Sequence, residues 1–132
     1  MKKEKYLKYS ISDLIAIAQK HFNAYIRKRD IDKGCISCGA KITEAGHYYS
    51  AGSCSLLRFN EKNVHGQCYA CNEILDANLI EYRKGLISRF DEKTVLELDY
   101  IADIYKKIQF KWDKIELIEI IDKYKHAVKH ID

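Results

Sequence analysis

Two Cys-x-x-Cys pairs, Cys35-Ile-Ser-Cys38 and Cys68-Tyr-Ala-Cys71, flank residues 39–67 in a chain of 132 residues. Two thiolates three positions apart fit one tight turn, and two such turns supply the tetrahedral sulfur shell of a zinc ion, with bonds of about 2.3 Å. The interval is longer than the roughly 15–20 residues of common zinc ribbons, so a further element must lie between the knuckles. Disulfides would need an oxidising compartment. The basic start, Met1-Lys-Lys-Glu-Lys-Tyr6, is followed by neither an uninterrupted apolar stretch nor a small-residue cleavage site, so it does not read as an export signal. A redox pair would want a single Cys-x-x-Cys. Structural Zn²⁺ on Cys35, Cys38, Cys68 and Cys71 is the reading, and Cys54 is a spare loop thiol. No apolar run approaches the roughly 18 residues of a membrane span, so a cytoplasmic protein without membrane contact is expected.

Around these knuckles the pattern is helical. Proline is absent and there are only six glycines. Ser10 and Asp13 have capping-box spacing, and Leu14, Ile17, Ala18, Phe22, Tyr25 and Ile26 continue as a stripe, predicting a helix over 10–30. Periodicity vanishes over 31–71, which holds all five cysteines and most of the glycines. Helical spacing returns over 72–89 through Leu75, Leu79, Tyr82 and Leu86. It continues over 91–105, with a break near Asp99. A last helix over 114–129 starts at Asp113 with Glu116 three residues on, striped by Ile115, Ile118, Ile121 and Tyr124. The segment 107–111 has some strand character and is left unassigned. The expected fold class is α+β and mainly helical, one domain over 1–132. It divides into an N-terminal helix (10–30), a zinc-stapled module with its helix (31–90) and a C-terminal helical region (91–132).

The net charge is +4, but residues 1–90 carry +6 and residues 91–132 carry −2. A polyanion would be drawn to the first part. Arg27, Lys28, Arg29, Lys62, Arg83 and Lys84 are the candidate nucleic-acid contacts, with plain solvated charge as the alternative. Tyr48, Tyr49, Phe59 and Tyr69 interleave with them; core packing is the first reading and base stacking the second.

Ala45-Gly-His-Tyr48, Leu57-Arg-Phe-Asn-Glu61, and Asn72 directly after the second knuckle follow an order similar to the zinc-bracketed HNH (ββα-metal) endonucleases. Together with Phe22-Asn-Ala-Tyr-Ile-Arg27, Cys35-Ile-Ser-Cys-Gly39 and Gln67-Cys-x-x-Cys-Asn72, they more narrowly resemble the phage NinG/Rap family of recombination proteins. The likeness covers about residues 18–87 and returns weakly over 112–120. The resemblance implies a ββα-metal zinc module and a structure-selective DNA endonuclease acting on branched recombination intermediates of the Holliday-junction or D-loop type. A homodimer suits such symmetric targets. His47 is then the general base, suited by a pKa near neutrality. Asn63 steadies its imidazole, Arg58 grips a phosphate, and Asn72 holds a catalytic Mg²⁺ or Mn²⁺ through its amide oxygen. Gly46 stands where many HNH enzymes carry a second metal ligand, which leaves the ion short of protein ligands; Asp76, four residues after Asn72 on a helix, is the candidate to help. Without the resemblance, His47 reads as a packed or surface histidine, Asn63 as a turn residue and Asn72 as a helix cap. The competing functions are a non-catalytic zinc-stapled nucleic-acid-binding module and a protein-interaction adaptor using the acidic C-terminal helix.

Overall fold

The chain is described by a computed structural model over residues 2–106, 108 and 110–131, the side chain of Lys2 excepted. After a 3₁₀ turn at Lys2–Tyr6, helix α1 runs over Ile11–Asp30. The Ser10 hydroxyl accepts the Asp13 amide at 3.1 Å, which satisfies one orphan donor of the first turn. Leu14, Ala18, Phe22 and Ile26 recur every fourth residue and are fully buried. They face α4 (Lys114–His130), which opens with a complete capping box: Glu116 N donates to Asp113 at 2.8 Å, and Asp113 N donates to Glu116 at 3.2 Å. The buried stripe of α4 is Leu117, Ile118, Ile121 and Tyr124, whereas Ile115 is two-thirds exposed. Steps of three residues lag behind a helix of 3.6 per turn, so a stripe counted in threes walks off the core face. Phe22 meets Phe59 and Tyr124 edge-on, with centroids 5.7 and 4.8 Å away.

Between the knuckles lies an antiparallel hairpin of β1 (Glu44–His47) and β2 (Val64–Gln67), in register Glu44↔Gln67, Ala45↔Gly66, Gly46↔His65 and His47↔Val64. It is the two-stranded element that the long interval between the cysteine pairs requires. Ala45 and Val64 join the α1–α4 core, along with Phe59 from the connecting loop.

The chain after the second knuckle departs from expectation. Instead of one helix from residue 72, Ala70–Ile74 form a π-helical turn, Asp76, Ala77 and Asn78 take φ of +52°, +75° and +48°, and α2 spans only Leu79–Arg89. Tertiary bonds hold this strained stretch. Asn78 Nδ2 donates to Cys71 Sγ at 3.5 Å, and Ala77 O accepts Gln67 Nε2 at 2.8 Å. Such backbone conformations cost free energy for residues other than glycine and persist only where neighbours over-determine them. Asn72 therefore does not cap α2, and Asp76 is not on a shared helical face with it. Helix α2 approaches the first knuckle so closely that a Cβ on Gly85 would sit 1.9 Å from Ile36 O.

Helix α3 (Glu92–Tyr105) is unbroken at Asp99 and is capped by Asp91, which accepts Thr94 N at 2.8 Å. Asp99 instead pairs with Arg83 at 3.1 Å and accepts the Tyr49 hydroxyl. Leu57, Tyr82, Leu86, Val95 and Leu98 form a second core, and Cys54 is buried in it rather than lying free in a loop. Part of the 107–111 segment lies outside the described residues. Among the described residues no helix is long and apolar enough to cross a membrane.

Candidate metal centre and adjoining polar site

The four Sγ atoms of Cys35, Cys38, Cys68 and Cys71 all lie within 4.8 Å of one another, and Cys38 and Cys68 approach to 3.6 Å. A regular tetrahedron with bonds of about 2.3 Å has edges of about 3.8 Å, so the cluster fits one zinc ion. An all-thiolate shell favours a soft or borderline metal over magnesium or calcium. Cys71 N points at Cys68 Sγ (3.4 Å) and Asn78 Nδ2 at Cys71 Sγ (3.5 Å), the donors that stabilise thiolate charge in a metal shell. Burial pushes the Cys35 thiol up, but the amides of Cys68, Cys38 and Ser37 outweigh it and bring it down to about 7. At Cys71 burial wins, and the thiol rises to about 12. Cys35 and Cys71 are buried while Cys38 is exposed, so the centre sits at the edge of the molecule, open to ion entry.

His47 ends β1, and its Nε2 lies 2.9 Å from Arg58 O. A carbonyl oxygen only accepts, so Nε2 carries the proton and the neutral ring keeps its lone pair on Nδ1. Burial lowers the pKa of His47, assisted by the nearby Arg58 charge and opposed by the carbonyl bond. The ring is therefore a neutral, oriented proton acceptor near pH 7. Arg58 donates from Nη1 to Gln19 Oε1 at 3.1 Å, its Nε is buried without a partner, and burial lowers its pKa. Among the described residues no carboxylate pairs with it.

Asn63 is fully buried and makes no hydrogen bond to the imidazole. Its Oδ1 accepts Tyr49 N at 2.9 Å, and its Nδ2 donates to Tyr49 O at 2.9 Å and Leu57 O at 3.1 Å. The expected role of holding the ring itself is thus corrected: Asn63 clamps the backbone on either side of it. Tyr82 adds to this from α2, its hydroxyl donating to Gly46 O at 2.7 Å. His65, pairing with Gly46 across the hairpin, is buried with Nδ1 3.3 Å from the Tyr82 hydroxyl, and burial pushes its pKa down to about 3.

Asn72 sits on the other side of β1. Alternation along a strand sends Glu44 and Gly46 to one face and Ala45 and His47 to the opposite one. Asn72 Oδ1 lies 2.9 Å from where a Gly46 Cβ would be, hence beside the residue that precedes His47, but the two side chains share no hydrogen bond. Asn72 Nδ2 donates to Glu44 Oε1 at 2.7 Å and reaches Glu73 Oε1 at 3.5 Å. Glu44 and Glu73 are close enough that hydrogen bonding between them raises the Glu73 pKa. Asp76 is exposed in the left-handed stretch and has no bond to this group. Sequence reasoning missed Glu44, Glu73 and Gln67. Period-two alternation back from Gly46, and direct adjacency to Asn72, were signals for the two glutamates; nothing local marked Gln67.

The basic residues divide. Arg29 is committed inside the fold, bidentate on Asp30 at 2.7 and 2.8 Å and donating to Glu61 O and Val64 O, each at 3.0 Å. Arg83 is tied to Asp99 and to the Tyr48 hydroxyl. Arg27 is exposed, and so are Lys28 (to Val128 O, 2.8 Å), Lys62 (Glu97, 3.8 Å) and Lys84 (Glu81, 3.2 Å). The positive balance read from sequence is thus partly structural.

Comparison with known proteins places the chain in a family and among curated relatives. The family described as "Bacteriophage Lambda NinG protein" matches residues 1–132. The chain is 46% identical over 85 residues to Protein ninG of Escherichia phage lambda, covering 62% of this chain and 42% of that protein. It is 37% identical over 117 residues to Protein ninG of Escherichia phage 933W (86% of this chain, 56% of that protein) and of Salmonella phage P22 (86% and 55%). The chain spans about half the length of these curated relatives. No solved structure matches significantly. With its paired knuckles, the hairpin between them and the family match over every residue, this chain belongs to the NinG family.

Proposed function

We propose that this chain is a metal-dependent endonuclease of the HNH (ββα-metal) kind that hydrolyses phosphodiesters in branched DNA. The observation that carries the reading is the His47 ring: Nε2–H is engaged by Arg58 O, which leaves Nδ1 as an oriented base. Nδ1 takes a proton from a water molecule as that water attacks phosphorus, and general-base help of this kind contributes roughly 10²–10⁴ in rate. Arg58, with an unpartnered buried Nε, faces the phosphate. Asn63 and Tyr82 hold the strand end rigid. Asn72 would hold a Mg²⁺ or Mn²⁺ ion through its amide oxygen, and such an ion would supply neutralisation of the charge that develops on the phosphodiester. Arg27, Lys28, Lys62 and Lys84 add backbone attraction. The two-fold symmetry of many branched substrates suits a homodimer.

The test is nicking of a synthetic four-way junction in Mn²⁺. His47→Ala should cut at least about 100-fold more slowly yet bind the junction with unchanged, salt-sensitive affinity. Because burial lowers the His47 pKa, the acid limb of the rate should fall below the ordinary histidine range. An alanine variant that cuts as fast as the parent removes the base and leaves a zinc-stapled binding module.

A further inference from the structure

We propose that Glu44 and Glu73 complete, together with the Asn72 carboxamide oxygen, an all-oxygen site for one divalent cation, and that Gln67 selects the ligating orientation of Asn72. This deepens the hydrolytic reading above and rests on it for the identity of the ion.

Gln67 carries a buried acceptor with nothing to accept. Gln67 is fully buried, and its Nε2 is committed twice, to Ser37 Oγ at 2.9 Å and to Ala77 O at 2.8 Å. Those bonds fix the amide plane and turn Oε1 towards Gly46, where it has no hydrogen-bond partner. A Cβ on Gly46 would lie 1.8 Å from Gln67 Oε1 and 2.9 Å from Asn72 Oδ1, so two carbonyl-type oxygens crowd one spot. Buried acceptors are nearly always satisfied, and Gln67 Oε1 is not.

A half-turn of the Asn72 amide about its last side-chain bond exchanges its oxygen and nitrogen. Nδ2 then faces Gln67 Oε1 and satisfies it. Oδ1 then faces Glu44 Oε1 and Glu73 Oε1, which Nδ2 now meets at 2.7 and 3.5 Å. Three oxygens, two of them anionic, converge from a strand and from the turn after the second knuckle. That arrangement is repulsive without a cation and suits Mg²⁺ or Mn²⁺ with one, the remaining positions going to water and phosphate. The hard oxygen donors also keep this site chemically distinct from the sulfur shell of Cys71, one residue before Asn72. Gly46 fits the same scheme: any side chain there would displace Gln67, so charge enters from residues 44 and 73 rather than from position 46.

The experiment is titration of the zinc-loaded chain with Mn²⁺ alone, without DNA, following the free-ion electron paramagnetic resonance signal. The parent should bind one Mn²⁺ saturably. Glu44→Gln and Glu73→Gln, which keep shape and remove charge, should each weaken binding at least tenfold. Asn72→Asp, which keeps an oxygen and removes the donor, should bind at least as tightly as the parent, and His47→Ala should leave Mn²⁺ affinity unchanged. Melting curves taken without Mn²⁺ check that every variant folds. A parent that binds no Mn²⁺, glutamine variants that bind as the parent does, or an Asn72→Asp variant that loses the ion overturns the site. Assaying junction cleavage on the same proteins separates the two ideas. Binding that depends on both glutamates, without cleavage in the parent, leaves the site and removes the nuclease. Cleavage in the parent, with Mn²⁺ binding indifferent to both glutamates, does the reverse.

Discussion

The α1–α4 pair and the cysteine module are built on opposite principles, although they share the hairpin. The helix pair is apolar and periodic: Leu14, Ala18, Phe22 and Ile26 against Leu117, Ile118, Ile121 and Tyr124. Each such side chain removed from water contributes about 1.5–3 kcal/mol, so this region needs no other fastening. At the knuckles the buried apolar cluster is small, Cys35, Ile42 and Cys71, and beside the second core of Leu57, Tyr82 and Leu86 the module buries Ser37, Asn63, His65 and Gln67. A polar interior of that kind is held by hydrogen bonds and, on this reading, by metal. The lesson is a division of labour. Where a metal carries the stability, neighbouring buried positions are released from being apolar and become available for chemistry.

The largest test of that contrast is chelation. Structural zinc contributes on the order of 10 kcal/mol to folding in small modules. Removing it should abolish hydrogen-exchange protection over β1, β2 and residues 70–78 while α1 and α4 stay protected. Equal loss in both regions would merge them into one cooperative unit. Next comes Phe22→Ala, which removes the ring between Phe59 and Tyr124. It should cost about 3–5 kcal/mol in urea unfolding, with zinc content unchanged. The third test separates the regions by pH. His65 is held neutral down to about 3, whereas the unfolded residue titrates near 6.5. Below that ordinary value the unfolded chain gains a proton that the folded one refuses, so stability falls as pH drops from about 6.5 towards 3, by up to about 1.4 kcal/mol per pH unit. His65→Gln should flatten that slope in module-reporting amides relative to the parent, and leave α4 amides alone. An unchanged slope would place the acid sensitivity elsewhere.

Much of the frame could be read in advance because its signals are local. Capping chemistry at Ser10 and Asp113, the fourfold spacing along α1, and the tight turns of the knuckles each depend on residues a few positions apart. The break between residues 72 and 79 could not be read this way. Leu75, Leu79, Tyr82 and Leu86 keep a helical spacing, and it is bonds with Cys71 and, far back in the chain, with Gln67 and Ser37 that hold Ala77 and Asn78 left-handed. The same holds at the site. Residue type made His47 and Asn72 candidates, but alternation within β1 and the loop carbonyl of Arg58 determined which way each faces.

What the sequence determined by itself was therefore the material: four thiolates in two turns, helices with definite starts, and an imidazole between them. Tertiary structure decided the assembly. It took Arg29 inward to Asp30, turned Asn63 onto backbone instead of the ring, left Asp76 in solvent, and gathered Glu44 and Glu73 around one carboxamide. The physical reason is range. Propensity, capping and thiol spacing act over one or two turns of chain, whereas the partner of a buried polar group is settled by whichever distant strand or loop the packing brings within hydrogen-bond reach.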